Sequence, residues 1–247
     1  MPFEADLPQA IDTSALNAAL RQAEPEMVLG VALAVAPGRV AMVSSFGTES
    51  AVLLHMLSRI DPSVPVLFLD TGMLFAQTLD HRRALARRLG LTEVRDLRPA
   101  YADLAVQDPR GVLHETDTDA CCAIRKVAPL DKALQGFDAW ITGRKRFQGG
   151  SRLHLPVVER SDGKVKFNPL AGWGREQLMA YAAEHDLPAH PLAADYASVG
   201  CWPCTNPTQD PSDVRSGRWT GSEKTECGIH TPRSRPFPAD DDVGGGI

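Results

Sequence analysis

Apolar positions recur along this chain with two spacings, and their alternation predicts a layered α/β core. From residue 14 to 36 the spacing is helical, in one or two helices interrupted near Pro25, because proline inside a helix removes a hydrogen bond and crowds the preceding turn. Val40 to Val43 is a short β-like run. Past Gly47, the residues Leu53, Met56, Leu57 and Ile60 fall at i, i+3, i+4 and i+7, one buried helix face. The order then repeats. Val64 to Leu69 reads as a strand ending at Asp70-Thr71-Gly72, about Phe75 to Leu89 as a helix, and Thr92 to Asp96 as the next strand. A helix is expected to carry Cys121 to Leu134, Ala139 to Thr142 is a strand stopping at Gly143, and a last helix runs from Gly174 to about His185. Such alternation predicts a doubly wound, mostly parallel sheet. Ligands of such sheets bind beyond the carboxyl ends of the strands, where Ser44–Gly47, Asp70–Gly72 and Gly143–Arg146 would gather.

After residue 187 the pattern stops, and the chain becomes rich in Pro, Gly and Ser. Metal ligation or substrate contact must order whatever structure that region keeps. The expected organisation is therefore an N-terminal helical segment (1–36), a nucleotide-binding core (37–190), a C-terminal arm (191–235) and a disordered acidic, Gly-rich tail (236–247).

With 43% hydrophobic residues the chain can bury a sizeable core. No stretch approaches the roughly 20 apolar residues of a membrane helix, and Glu4, Asp6 and Asp12 are unlike the basic start of a signal peptide. The expected location is cytoplasmic. A net charge of −5 excludes nucleic-acid binding unless a strong local basic patch overcomes it. The best candidate, Arg144-Lys145-Arg146, suits a small anion at least as well, and Arg82, Arg83, Arg87 and Arg88 read as one solvated helix face.

The five cysteines divide into an adjacent pair, Cys121-Cys122, the C-x-x-C of Cys201 and Cys204, and the singleton Cys227. That grouping suggests four metal ligands and one reactive thiol. Four thiolates imply zinc or an iron–sulfur cluster. Adjacent side chains on a helix diverge by roughly 100°, which favours a cluster with separated iron corners over one compact ion; the bland alternative is that the pair is simply buried. Ser44-Ser45-Phe46-Gly47 lies between a strand and a helix, where backbone N–H groups favour an anion, though it is not a Walker loop. Arg125, Lys126, Arg144, Arg152, Arg215 and Arg218 are the basic residues placed to reach the same region. Cys227 sits in a Gly- and charge-rich stretch with no apolar face to bury it. A positive potential from Lys224, His230 and the arginines would favour its thiolate.

Together these segments resemble the assimilatory sulfonucleotide reductases, and among them the adenylyl-sulfate reductases that contain an iron–sulfur cluster. The resemblance spans about residues 40–230 and rests on Ser44-Ser45-Phe46-Gly47, Leu69-Asp70-Thr71-Gly72, Cys121-Cys122-Ala123-Ile124-Arg125-Lys126, Thr142-Gly143-Arg144, Lys166-Phe167-Asn168-Pro169-Leu170, Cys201-Trp202-Pro203-Cys204-Thr205 and Glu226-Cys227-Gly228-Ile229-His230. It implies a sheet of the adenine-nucleotide alpha-hydrolase-like type with a cysteine-bearing C-terminal arm, and a [4Fe–4S] cluster on Cys121, Cys122, Cys201 and Cys204. It also implies a reaction: the Cys227 thiolate attacks the sulfur of adenylyl sulfate, AMP leaves, and thioredoxin or a similar dithiol frees sulfite from the S-sulfocysteine. In that pattern Lys126, Arg215, Arg218 and His230 face the phosphosulfate. Ser44, Ser45, Leu69, Gly143 and Arg152 line the nucleotide cavity, with Arg125 and Arg144 as further contacts.

Three rival readings stay open. A reductase of 3′-phosphoadenylyl sulfate shares the chemistry, although members specialised for that substrate usually lack the cluster cysteines. A tRNA-thiolating enzyme of the ATP-pyrophosphatase type would share the sheet, but it should carry an aspartate-bearing phosphate loop and a larger basic face. A non-enzymatic iron–sulfur or zinc module would leave Cys227 unmodified by nucleotide.

Overall fold

The computed structural model describes residues 11–210 and 212–231; the tail expected to be disordered, 236–247, lies outside them. In chain order the elements are α1 (Thr13–Leu20), α2 (Pro25–Val35), β1 (Val40–Val43), α3 (Ser50–Ile60), β2 (Val66–Leu69), α4 (Ala76–Arg88), β3 (Val94–Leu97) and α5 (Tyr101–Gln107). There follow α6 (Leu113–Thr116), α7 (Thr118–Cys122), a π-helical turn (Ala123–Val127), α8 (Ala128–Leu134), β4 (Ala139–Thr142), β5 (Val158–Ser161), β6 (Lys164–Phe167) and α9 (Arg175–Glu184).

The strands form one sheet in the order β3-β2-β1-β4-β6-β5, parallel except for β5. β1 and β4 are buried along their whole length, as continuous apolar runs require when a parallel sheet is covered on both faces. The edge strand β3 carries Arg95 and Asp96 outward, charges that discourage pairing with another sheet. From β1 the chain winds outward through β2 and β3, then returns to place β4 on the other side of β1. That reversal opens a crevice between the carboxyl ends of β1 and β4, the usual ligand position in such sheets.

Several expectations change in the folded chain. Of the N-terminal helical segment, Leu20, Val28, Leu29 and Ala32 pack into the same core as the sheet. The helix expected over Cys121–Leu134 is three pieces, α7, the π turn and α8. Pro129 has no N–H for the carbonyl four residues back and its ring crowds that position, so the backbone widens just before it. Arg82 leaves the solvated face of α4: it is half-buried, lies over the Phe68 ring and pairs with Asp96. Among the described residues no helix is long and apolar enough to cross a membrane.

Under α4, buried Thr78 and His190 share a hydrogen bond of 3.0 Å, and the N–H of Leu192 donates to His190 Nδ1 at 3.1 Å. Burial, and then neighbouring His81, pull His190 from the ordinary 6.5 down to about 4. Between those values the unfolded chain binds a proton that the folded chain refuses, so stability is full above about pH 6.5 and falls as pH drops toward about 4. Urea unfolding at neutral pH and near pH 5 should show this slope, and His190→Gln should flatten it.

Candidate active site

The loop after β1 is held by its own phenylalanine. Phe46 takes a positive φ of 49°, uncommon for a bulky residue, and its fully buried ring meets Phe68 edge-on at 5.6 Å. The Phe46 N–H donates to Ser44 Oγ at 3.2 Å. With Phe46 turned into the core, Ser44, Ser45 and Gly47 face the crevice. Glu49 then ties the start of α3 to the end of β4, accepting from Lys145 Nζ and Gln148 Nε2, both at 2.9 Å.

The crevice widens into an open-mouthed cavity, the kind of concave site in which small ligands bind. Ser44, Ser45, Leu69, Gly143, Lys126, Arg144, Arg152, Arg215, Arg218, Cys227 and His230 all line it. Arg125 does not. Its guanidinium is committed to buried Asp108 at 2.7 Å and to the carbonyl of Thr71 at 3.0 Å, so it braces the Asp-Thr-Gly turn against the cysteine helix.

The cations of the cavity differ in how far they are matched. Lys145 pairs with Glu49, Arg152 with Glu226, and Arg144 with Glu159. Lys126 and Arg218 have no carboxylate within ion-pairing distance among the described residues. Burial works against the charge on Lys126, yet negative charge on Cys201, Cys227 and Cys122 as thiolates holds its pKa above the ordinary lysine value. Burial instead pulls Arg215 down to about 10. Arg218 stacks its guanidinium on Trp219, 4.5 Å from the ring centroid, and donates to the carbonyl of Cys204 at 3.1 Å.

Gly200 makes room for that guanidinium, since a Cβ there would overlap it. Gly200→Ala should therefore displace Arg218 and weaken binding of a nucleotide anion about 10- to 100-fold, the worth of one charged hydrogen bond. Titration with AMP would measure it.

Cys227 is half-buried at the cavity wall rather than free on the surface. The arm that carries it has no helix or strand from Ser222 to Thr231. Lys224 Nζ turns away to the carbonyl of Thr118 and to Asp119, Ile229 packs on the smaller apolar cluster, and His230 stacks on Trp140 with centroids 5.9 Å apart. Burial, then Lys166, Arg144, Arg152 and Arg215, hold the His230 pKa well below its ordinary value. His230 is therefore neutral at physiological pH, and the charges facing Cys227 come from Lys126, Arg215 and Arg218, not from Lys224 and His230.

Cys121, Cys122, Cys201 and Cys204 are all buried and free. Burial, and then Cys122, push the Cys121 thiol up to about 11, with Cys201 and Cys204 adding to the shift. Among the described residues no group of three or more His, Cys, Asp or Glu side chains is placed to hold a metal ion. The surroundings fit a sulfur-rich group. Trp219, whose N–H donates from the backbone to the carbonyl of Cys204 at 3.2 Å, has a buried indole N–H with no partner, and Thr71 Oγ1 is 3.2 Å from Cys201 Sγ. The orphaned donors of Arg144 and His230 also lie on cavity-lining residues; buried polar atoms are seldom left so unless a ligand or water completes them.

Residues 39–207 match the model of the phosphoadenosine phosphosulfate reductase domain. The chain belongs to this reductase family. It is 52% identical over 192 residues to adenosine 5′-phosphosulfate reductase of Mesorhizobium japonicum, covering 77% of this chain and 76% of that one. It is 43% identical over 231 residues to phosphoadenosine 5′-phosphosulfate reductase of Gloeobacter violaceus, covering 89% and 95%. A crystal structure of phosphoadenylyl-sulfate reductase from Candida auris superposes with a TM-score of 0.65 at 30% identity, covering 80% and 97%. Glu49, Glu226 and Trp219 are site residues without an expected role; Glu49 and Glu226 have a local signal, in the loop after β1 and beside Cys227, and Trp219 has none.

Proposed function

We propose that this enzyme reduces adenylyl sulfate to sulfite and AMP, with Cys227 as its nucleophile. The observation that carries the reading is the convergence of Cys227 with Lys126, Arg215 and Arg218 on one cavity at the carboxyl ends of β1 and β4. Three cations with little carboxylate pairing suit the two negative charges of a phosphosulfate, and arginine donates to such oxygens in bidentate fashion.

The Cys227 thiolate attacks sulfur, an S–S bond forms, and the S–O bond to the phosphate breaks with its electron pair leaving on AMP. Negative charge grows on that phosphate as the bond lengthens. Fixed cations there stabilise the transition state more than the ground state. Neutral His230 is able to donate or accept one hydrogen bond at the same wall. A dithiol such as thioredoxin then attacks Cys227 Sγ, expels sulfite and, by closing its own disulfide, returns the cysteine thiol. Two electrons come from the dithiol and go to sulfur.

Cys121, Cys122, Cys201 and Cys204 would hold a [4Fe–4S] cluster, which when bound supplies a structural tie and a fixed charge distribution beside the sulfate end. Thr71, whose Oγ1 is 3.2 Å from Cys201 Sγ, would stand beside it. Protein prepared without air should contain iron and acid-labile sulfide, and stoichiometric zinc without sulfide would refute the assignment. Cys201→Ser should both lose the metal and loosen 187–231, read as faster amide exchange there, because that stretch has few apolar contacts of its own.

Adenylyl sulfate is chosen over its 3′-phosphorylated form because the more identical of the two reductases compared acts, by its name, on the former, and because the cysteine set is complete. Sulfite release with thioredoxin, compared as kcat/KM for the two nucleotides, decides between them. A preference for the 3′-phosphorylated substrate would transfer the assignment.

A further inference from the structure

Glu226 and Glu49 are the carboxylates lining a cavity rich in cations. The Glu226 carboxylate receives two hydrogen bonds from Arg152, from Nε at 2.5 Å and Nη2 at 2.8 Å, with both side chains about nine-tenths buried. Arg215 Nη2 lies 3.7 Å from it and donates to the carbonyl of Thr225 at 2.7 Å. Arg152 in turn donates to Gln148, which donates to Glu49 at 2.9 Å, the carboxylate that anchors the start of α3. A continuous polar chain thus runs from the residue next to Cys227 to the loop after β1.

We propose that Glu226 is a positioning residue, whose clasp by Arg152 holds the arm so that Cys227 faces the sulfur of the bound nucleotide. The inference rests on the reading of Cys227 as nucleophile. From Ser222 to Thr231 the arm forms no strand; Lys224 holds it toward α7, Ile229 and His230 seat it beyond Cys227, and Arg215 and Glu226 are the polar ties immediately before Cys227. A bidentate carboxylate–guanidinium contact restricts both distance and direction, which is what an in-line attack needs. For nucleotide binding alone a carboxylate here is unfavourable, because it offsets positive charge that the substrate would use. Loss of Glu226 is therefore expected to act in opposite directions on binding and on chemistry, which loss of mere structural support would not do.

The test uses cluster-loaded wild type, Glu226→Gln, Glu226→Ala, Arg152→Ala and Arg152→Ala/Glu226→Ala. Single-turnover labelling of Cys227 with saturating adenylyl sulfate and no dithiol, followed by intact mass, should slow about 10- to 100-fold in Glu226→Ala. Glu226→Gln should lie between, and AMP affinity should be unchanged or tighter. Iodoacetamide should alkylate Cys227 faster in Glu226→Ala than in wild type, and the double variant should label no more slowly than Arg152→Ala alone. Labelling at the wild-type rate, alkylation no faster than wild type, or parallel losses of labelling and AMP affinity would each overturn the proposal. If wild type itself formed no adduct, the functional reading would fall, while the alkylation comparison would still decide whether Glu226 docks the arm.

Discussion

Replacing Cys227 by serine is expected to abolish sulfite formation while leaving iron content and AMP binding close to wild type. Serine is a poor nucleophile at neutral pH and cannot accept sulfur to form a thiosulfonate. The four buried cysteines are separate side chains and keep their thiols, and the basic wall of the cavity is untouched. Wild-type protein given adenylyl sulfate without a dithiol should gain one SO₃, mapping by proteolysis to 226–230. An adduct elsewhere, or wild-type turnover by Cys227→Ser, would refute the mechanism even with the fold intact.

Lys126→Met should be nearly as damaging, lowering kcat/KM by about 10² to 10³-fold, the usual cost of removing one group that stabilises developing charge. Lys126 lies buried on the π turn just after Cys121 and Cys122, and it is coupled to Cys201, Cys227 and Cys122 together. Like Arg218, it stands near both the buried cysteines and Cys227. Methionine keeps the length and apolar stem of lysine, so the fold should survive; an unchanged unfolding midpoint would show that. If kcat/KM fell less than about tenfold, the stabilising charge would have to come from Arg215 and Arg218 alone.

Much of the frame was legible because it depends on neighbours in the chain. β1 and β4 were placed to the residue, since continuous apolar runs bounded by turns say where a buried parallel strand lies. The β5–β6 hairpin was passed over, although Asp162-Gly163, both at positive φ, is the ordinary signal for such a turn. Its strands mix Lys, Glu and Arg with apolar residues, so their pattern is weak. Lys166 is almost wholly buried in β6, 4.6 Å from the Trp140 ring centroid, and local spacing does not disclose such a partner.

By itself the sequence determined the sheet class, the four-plus-one division of cysteines and the motifs that join them, because hydrophobic period and thiolate chemistry are written in short segments. Only the tertiary structure decided which charges act. The resemblance put Lys126 on the phosphosulfate and Arg125 among the further contacts; in the fold Arg125 braces Asp108 while Lys126 lines the cavity with Cys227, because neighbouring side chains on a helix diverge by roughly 100°. Glu226 meets Arg152 across 74 residues, and Lys145 meets Glu49 across 96. Such pairings depend on which strand ends the winding of the sheet brings together, so the charge state of the site is a property of the fold.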